Sequence, residues 1–331
     1  MHRDPDAPAT ADPATAAAAP TAYGLALPDL AGAAHLLRPA RGGETTWRVH
    51  RRVAGPGEQD GAPPTGGPPP DGHDEAAGHT AHLDAERARL GVPGGGSVLV
   101  DRASRTTTFT TPHPLSDAEV VHPHLASTAV TVAHWRGRLA LHAAAVVAGG
   151  RAWALLGERG AGKSTALYSL VRAGLVPVTD DVLVLDGARV LPGPRCVDLR
   201  LPSAEHFGAG DDLGVVGRRR RWRVALEQDA GDLPDDVELG GFVHLAWGQS
   251  TAVDTVPAQH RLPALLDALA LRLPPADQVG LLRLLALPTV RLTRPRRLED
   301  AERVADALAA HLTRLSASAP PPRPTTPAAA G

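Results

Sequence analysis

Lys163 is the only lysine among 34 basic residues, and it stands in the segment Gly157-Glu158-Arg159-Gly160-Ala161-Gly162-Lys163-Ser164-Thr165. Glycines, a lysine and a hydroxyl residue in this register form the pattern of a loop that wraps phosphate groups. The backbone N–H groups of Gly160 to Ser164 would cradle phosphate oxygens at a helix N-terminus, where the dipole favours negative charge. Lys163 would reach between the β- and γ-phosphates, Ser164 would ligate Mg²⁺ and Thr165 would sit near the α-phosphate. Elsewhere arginine has replaced lysine, and Ile and Asn are absent, the composition of a genome whose codons have drifted toward G and C. The planar guanidinium fork is a poor substitute for a slim ammonium on a flexible stem, which accounts for the one lysine that stays.

Two further features lie at informative distances. Asp180 and Asp181 follow Lys163 by 17 and 18 residues, at the end of the next strand-like segment. In an open α/β sheet that strand end faces the same crevice as the phosphates. Phosphoryl transfer needs a metal on the phosphates and a base or positioner for the attacking hydroxyl, and an acid pair can divide those roles. The division adopted takes Asp180 as base with His142 as its positioning partner, and Asp181 with Ser164 on the metal. The plain alternatives are a solvated acidic turn for the pair and a satisfied core histidine for His142.

These groups require particular elements. Arg151–Leu156 reads as a short buried strand entering Gly157, and Ser164–Ala173 as a helix stopped by Gly174. Leu125–Trp135 reads as a helix, Leu139–Val147 as one strand carrying His142, and Ala148-Gly149-Gly150 as a hairpin turn. Val182–Leu185, Asp186-Gly187 and Arg189–Leu191 form a second hairpin pattern. A core strand at Gly241–Trp247, helices at Leu262–Leu273 and Asp277–Leu285, a strand at Thr289–Leu292 and a helix with an apolar stripe from Leu298 to Leu315 complete an α/β domain with a mixed sheet. Upstream, Gly96–Asp101 and Thr106–Thr110 pair around a turn, within a small α+β module. Expected boundaries are 1–20 disordered, 21–124 the N-terminal module with a Gly/Pro-rich insertion at 54–78, 125–315 the loop-bearing domain and 316–331 a disordered tail.

Composition narrows the class. At 331 residues and a formal net charge of −2, nothing global suggests a polyanionic partner, so nucleic acid is disfavoured. The single Cys196 precludes an internal disulfide framework and reads as a structural thiol. No run of about 20 apolar residues argues for a membrane span. Met1–Asp6 leads into Ala, Thr and Pro without an apolar stretch, so a cytoplasmic protein is expected. Gly217-Arg218-Arg219-Arg220-Arg221-Trp222-Arg223 is the densest charge cluster, readable as a phosphate clamp, an RNA patch or a solvated loop before a strand at Trp222. His113, His122, His124 and His134 lack metal-ligand spacing and read as surface or scattered core residues.

The ordered run Leu141-His142-Ala143, Gly157 to Thr165, Leu170 to Gly174 and Asp180-Asp181-Val182 resembles the catalytic domain of HPr kinase/phosphorylase. It is most similar to the HPr-kinase-related proteins of bacterial peptide-modification clusters. The resemblance covers about residues 125–315 and implies a P-loop domain related to phosphoenolpyruvate carboxykinase. It implies an ATP-dependent serine kinase acting on a peptide or protein, with His142, Asp180 and Asp181 catalytic. Gly157, Gly160, Ala161, Gly162, Lys163, Ser164 and Thr165 would bind the nucleotide, and Ser164 and Asp181 would hold Mg²⁺. Hexameric assembly of that family's best-known members makes a homo-oligomer part of the implication. The chain departs from the family in lacking its Leu-Glu-x-Arg-Gly-x-Gly signature, where it has Arg195-Cys196-Val197-Asp198-Leu199-Arg200, and in carrying Arg159 where a serine is usual. A small-metabolite kinase and a non-catalytic ATP-binding regulatory module are the alternative readings.

Overall fold

The strand that feeds the glycine loop lies inside a six-stranded sheet. The computed structural model describes residues 18–55, 80–92, 94–226, 233, 234, 236–271, 273 and 277–318. Across the sheet the order is Val176–Thr179, Ala144–Ala148, Arg151–Leu156, Leu239–Trp247, Thr289–Arg294 and Ala252–Thr255. Arg151–Leu156 pairs antiparallel with Ala144–Ala148 through the expected Gly149-Gly150 turn, and parallel with Leu239–Trp247. Leu239–Trp247 in turn pairs parallel with Thr289–Arg294. Three parallel strands therefore deliver their carboxyl ends, Leu156, Trp247 and Arg294, to one edge of the sheet, the position where open α/β sheets bind ligands.

Side-chain alternation along these strands builds two apolar layers. Trp153, Leu155, Val243 and Leu245 face the helices Lys163–Arg172 and Ala301–Ser318, meeting Leu167, Leu170, Leu308 and Leu312. Ala154, Leu156 and Phe242 face the opposite way, against Leu265, Leu281 and Leu284 of the helices Ala258–Asp267 and Gln278–Leu284. The fold is thus mixed α/β, with helices on both faces of a mixed sheet. Gly241 allows the central strands to close: a Cβ there would lie 2.4 Å from the Pro288 carbonyl oxygen and 2.5 Å from the Trp153 ring.

Ahead of this sheet, Arg48–Val53, Thr106–Thr111, Ser97–Asp101, Arg87–Gly91 and Thr80–Leu83 form a five-stranded sheet in that order. The helix Leu125–Trp135 has the expected bounds, yet its buried face joins the core of this N-terminal region, with Val98, Val100 and Phe109. Val182, Val184 and Cys196 belong to the same core, so apolar packing runs continuously across position 124.

Several expectations are corrected. The strand expected over Leu139–Val147 is two, Leu139–Leu141 and Ala144–Ala148, which belong to different sheets. His142 occupies the break between them, and its backbone N–H donates to the Ala268 carbonyl at 2.6 Å. The arginine cluster is not a loop: Arg219–Ala225 is a strand, paired with Asp211–Val216 and Cys196–Leu199. Pro20, placed in the expected disordered terminus, pairs with Pro39 in a small sheet, whereas residues 1–17 lie outside the described residues. Most of the Gly/Pro-rich insertion, from 56 on, also lies outside them.

The closing helix continues to Ser318, into the stretch expected to be a tail, and residues 319–331 lie outside the described residues. The physical reason is Ser316. Its buried hydroxyl accepts from Trp153 Nε1 at 2.9 Å and donates to the Ala148 carbonyl at 2.8 Å, anchoring the helix end to the central sheet. Ser316→Ala leaves the Trp153 N–H buried without its acceptor, so a loss of about 1–3 kcal/mol is expected in denaturant-unfolding midpoints.

Candidate functional site

The loop after Leu156 takes backbone conformations that glycine allows. Gly157, Gly160 and Gly162 have φ of +150°, +84° and +79°. A Cβ on Gly157 would lie 2.9 Å from Ala161 Cβ and 3.0 Å from the Leu245 carbonyl oxygen. The helix starts at Lys163, and no side chain caps it. Its first-turn amides therefore keep their capacity to bind an anion. Lys163 Nζ donates to the Gly157 carbonyl at 2.8 Å, folding the ammonium over its own loop. Two strand ends brace the loop from the side. Trp247 Nε1 donates to the Gly160 carbonyl at 3.2 Å, and Arg294 Nη2 to the Ala161 carbonyl at 2.6 Å.

Opposite the loop stand the acids. Asp180 is buried, and both its carboxylate oxygens accept from Ser164 Oγ, at 3.2 and 3.1 Å. Asp181 follows at φ +73°, an uncommon conformation for a non-glycine residue. This directs it to the other side of the turn, where its Oδ1 lies 3.2 Å from His142 Nδ1. The contacts thus run opposite to the expected division: Ser164 meets Asp180 rather than Asp181, and His142 meets Asp181 rather than Asp180. Thr179 Oγ1 fixes the turn by donating to the Val182 carbonyl at 2.7 Å.

A third acid was missed in the sequence. Asp198, also buried, is gripped by Arg223, whose Nε donates to Oδ1 at 2.7 Å and Nη2 to Oδ2 at 2.9 Å. Arg223 also donates to the carbonyls of Ala118 and His122. The His122 ring, expected at the surface or in scattered core, lies between two acids: its Nε2 is 3.7 Å from Asp198 Oδ2 and 3.9 Å from Asp180 Oδ2. The sequence signal for the Arg223 pair is strand register, since Asp198 and Arg223 are direct cross-strand partners. That register connects residues 25 apart and shows only once the hairpin is placed. Within the arginine cluster, Arg223 is committed to Asp198, whereas Arg220, paired with Asp212 at the surface, lines the cleft together with Arg219 and Arg221.

Electrostatics separate the three carboxylates. Burial, reinforced by the neighbouring Asp181 charge, raises Asp180 to about 7 against the partial opposition of the Ser164 hydrogen bond. Burial also works against ionisation of Asp198, but His122 and the Arg223 fork outweigh it and hold that carboxyl below its ordinary value. Burial pulls the His122 imidazole below its usual range. Burial likewise pushes the Cys196 thiol up to about 12, consistent with an inert structural cysteine.

A single cleft of about 810 Å³ brings these groups together. Gly160, Gly162, Lys163, Ser164 and Thr165 line it, as do His142, Asp180 and Asp181, whereas Gly157 and Ala161 lie behind the loop surface. Among the described residues no group of three or more His, Cys, Asp or Glu side chains is arranged to hold a metal by itself. Nor is any described helix long and apolar enough to cross a membrane.

No family model matches the chain, and no curated protein matches it. Among solved structures it is similar to the HPr(Ser) kinase/phosphatase from Coxiella burnetii, at 12% identity and a TM-score of 0.27, over 53% of this chain and 97% of that one. A likeness at that level transfers no residue roles to this chain.

The raised Asp180 has a stability consequence whose sign is fixed by linkage. The folded state keeps this proton up to about pH 7, whereas an unfolded aspartate releases it near its ordinary value of 3.8. The folded state therefore bears no penalty below about pH 4 and the full penalty above about pH 7. Asp180→Asn is expected to raise the melting temperature by several degrees at pH 8, with the advantage shrinking as pH falls toward 4, in thermal scans across that range.

Proposed function

We propose that this chain is an ATP-dependent kinase that transfers the γ-phosphoryl group to a hydroxyl, acting on a serine of a peptide or protein. The observation that carries the nucleotide reading is the facing arrangement of loop and acids. The uncapped helix start with Lys163 lies on one wall of a cleft, and Asp180, joined to it by Ser164, lies on the other. The acceptor class rests on the sequence resemblance.

In this reading the loop amides and Lys163 hold the polyphosphate, with the ammonium exchanging the Gly157 carbonyl for phosphate oxygens. The residues fit a magnesium ion. Ser164 and Asp180 offer adjacent hard oxygens, and a cation there would offset the burial and the Asp181 charge that together raise Asp180. Mg²⁺ is commonly held by one or two protein oxygens plus substrate phosphates, so an all-protein cage is not required. When bound, it would neutralise charge on the β- and γ-phosphates.

Asp181 serves the acceptor. Its carboxylate takes the proton as the hydroxyl oxygen forms its bond to the γ-phosphorus, and the bond to the departing diphosphate oxygen breaks. His142 is a positioning residue that orients Asp181 across the 3.2 Å contact. Asp198 and Arg223 form the floor beneath, keeping a fixed negative charge paired.

The test is transfer of label from ATP to candidate peptides, proteins and pooled small hydroxyl compounds in the presence of Mg²⁺. Lys163→Ala is expected to abolish transfer, and equal transfer by that variant would refute the reading. Asp181→Asn should lower kcat by roughly 10²–10⁴-fold with ATP binding retained. ATP binding with no transfer to any acceptor would instead favour the regulatory-module alternative.

A further inference from the structure

We propose that the nucleotide's base lies in the notch formed by Trp247, Gln249 and Arg296, stacked on the Trp247 indole, with Arg294 donating to the adjoining phosphates. This deepens the nucleotide-binding reading and rests on it.

The placement follows from the sheet. Trp247 ends the parallel strand beside the one that enters the glycine loop, and Arg294 ends the next parallel strand across the sheet. A notch of about 560 Å³ opens at these strand ends and shares Trp247, Pro295, Arg296 and Arg297 with the main cleft. Because the two spaces share these residues, the notch adjoins the cleft in which the phosphates would lie.

Trp247 stands apart from the chain's other aromatics. Aromatic residues make up 3% of the sequence, and of the five tryptophans this is the one that is exposed, at 41%. Its indole nitrogen is tied to the Gly160 carbonyl, so the ring is held beside the site of the phosphates. The Arg294 guanidinium lies 4.3 Å from the ring centroid and that of Arg296 lies 5.8 Å from it. A π-face fixed in this way, with a cation at hand, is the recurrent platform for a nucleobase.

Arg294 supplies an independent observation. The side chain is buried and lines the main cleft, yet its Nη1 has no hydrogen-bond partner among the described residues. A buried guanidinium without a full set of partners at the back of the loop favours an anion in the cleft beside it. Gln249 is exposed at the notch, and its amide carries the donor–acceptor pair that complements the N6/N7 edge of adenine.

The experiment is calorimetric titration of the full chain with Mg-ATP and with inorganic tripolyphosphate, which reports on the loop without a base. Wild-type protein should bind ATP roughly tenfold or more tighter than tripolyphosphate. Trp247→Ala should remove that advantage while the tripolyphosphate Kd stays within about twofold, and Trp247→Phe should keep most of it. If Trp247→Ala does not fold, Gln249→Ala and Arg296→Ala, both at exposed positions, should each weaken ATP but not tripolyphosphate. Equal weakening of both ligands by Trp247→Ala would make the indole a prop for the loop and overturn the inference, as would wild-type protein binding the two ligands equally. Binding of neither ligand would overturn the nucleotide reading itself, and the base site with it.

Discussion

Three carboxyl groups converge on one cleft, and the problem of keeping them there organises the site. Each is accommodated differently. Asp198 is matched by a bidentate arginine. Asp181 turns through a left-handed backbone conformation to meet His142. Asp180, fully enclosed, has a hydroxyl neighbour and no cation, and it holds its proton to near neutrality. Burial and the neighbouring Asp181 charge both disfavour ionisation of Asp180. The Asp180 and Ser164 oxygens are therefore where an external cation would gain most, and that place faces the glycine loop.

The sheet makes this convergence possible. The strand preceding the aspartates lies at its edge, beside Ala144–Ala148, while the loop strand lies one position further in. The helix Lys163–Arg172 crosses between them, packing Leu167 and Leu170 on the sheet, so that its first turn and the aspartate turn close on the same space. Small residues such as Ala144 and Ala154 fill the two apolar layers beside the larger Leu and Val side chains.

What could be read from the sequence was local. The glycine loop, its strand and its helix are specified by contiguous residues whose turn conformations and apolar spacing are each diagnostic. The Leu125–Trp135 helix and the two hairpins are of the same kind. The break at His142 could not be seen, because Leu139–Val147 is apolar on both sides of the histidine and the change of sheet is imposed by pairing, of Leu139–Leu141 with Leu183–Asp186 and of Ala144–Ala148 with Arg151–Leu156. Asp198 and His122 were equally hidden. A buried acid is informative only with its partner, and Arg223 reaches Asp198 across a strand pair and His122 across about a hundred residues of chain. The contacts within the aspartate dyad were hidden for a smaller reason: Asp181 has a positive φ, which two consecutive aspartates do not announce.

Arg223 carries a last consequence. One guanidinium fastens the floor of the cleft to the carbonyls of Ala118 and His122, which belong to the segment leading out of the N-terminal sheet. Excising the first hundred-odd residues to obtain a fragment built around the glycine loop would strip those acceptors from a buried cation and loosen the carboxylate it steadies. The N-terminal region is thus a structural member of the site's foundation rather than a detachable appendage.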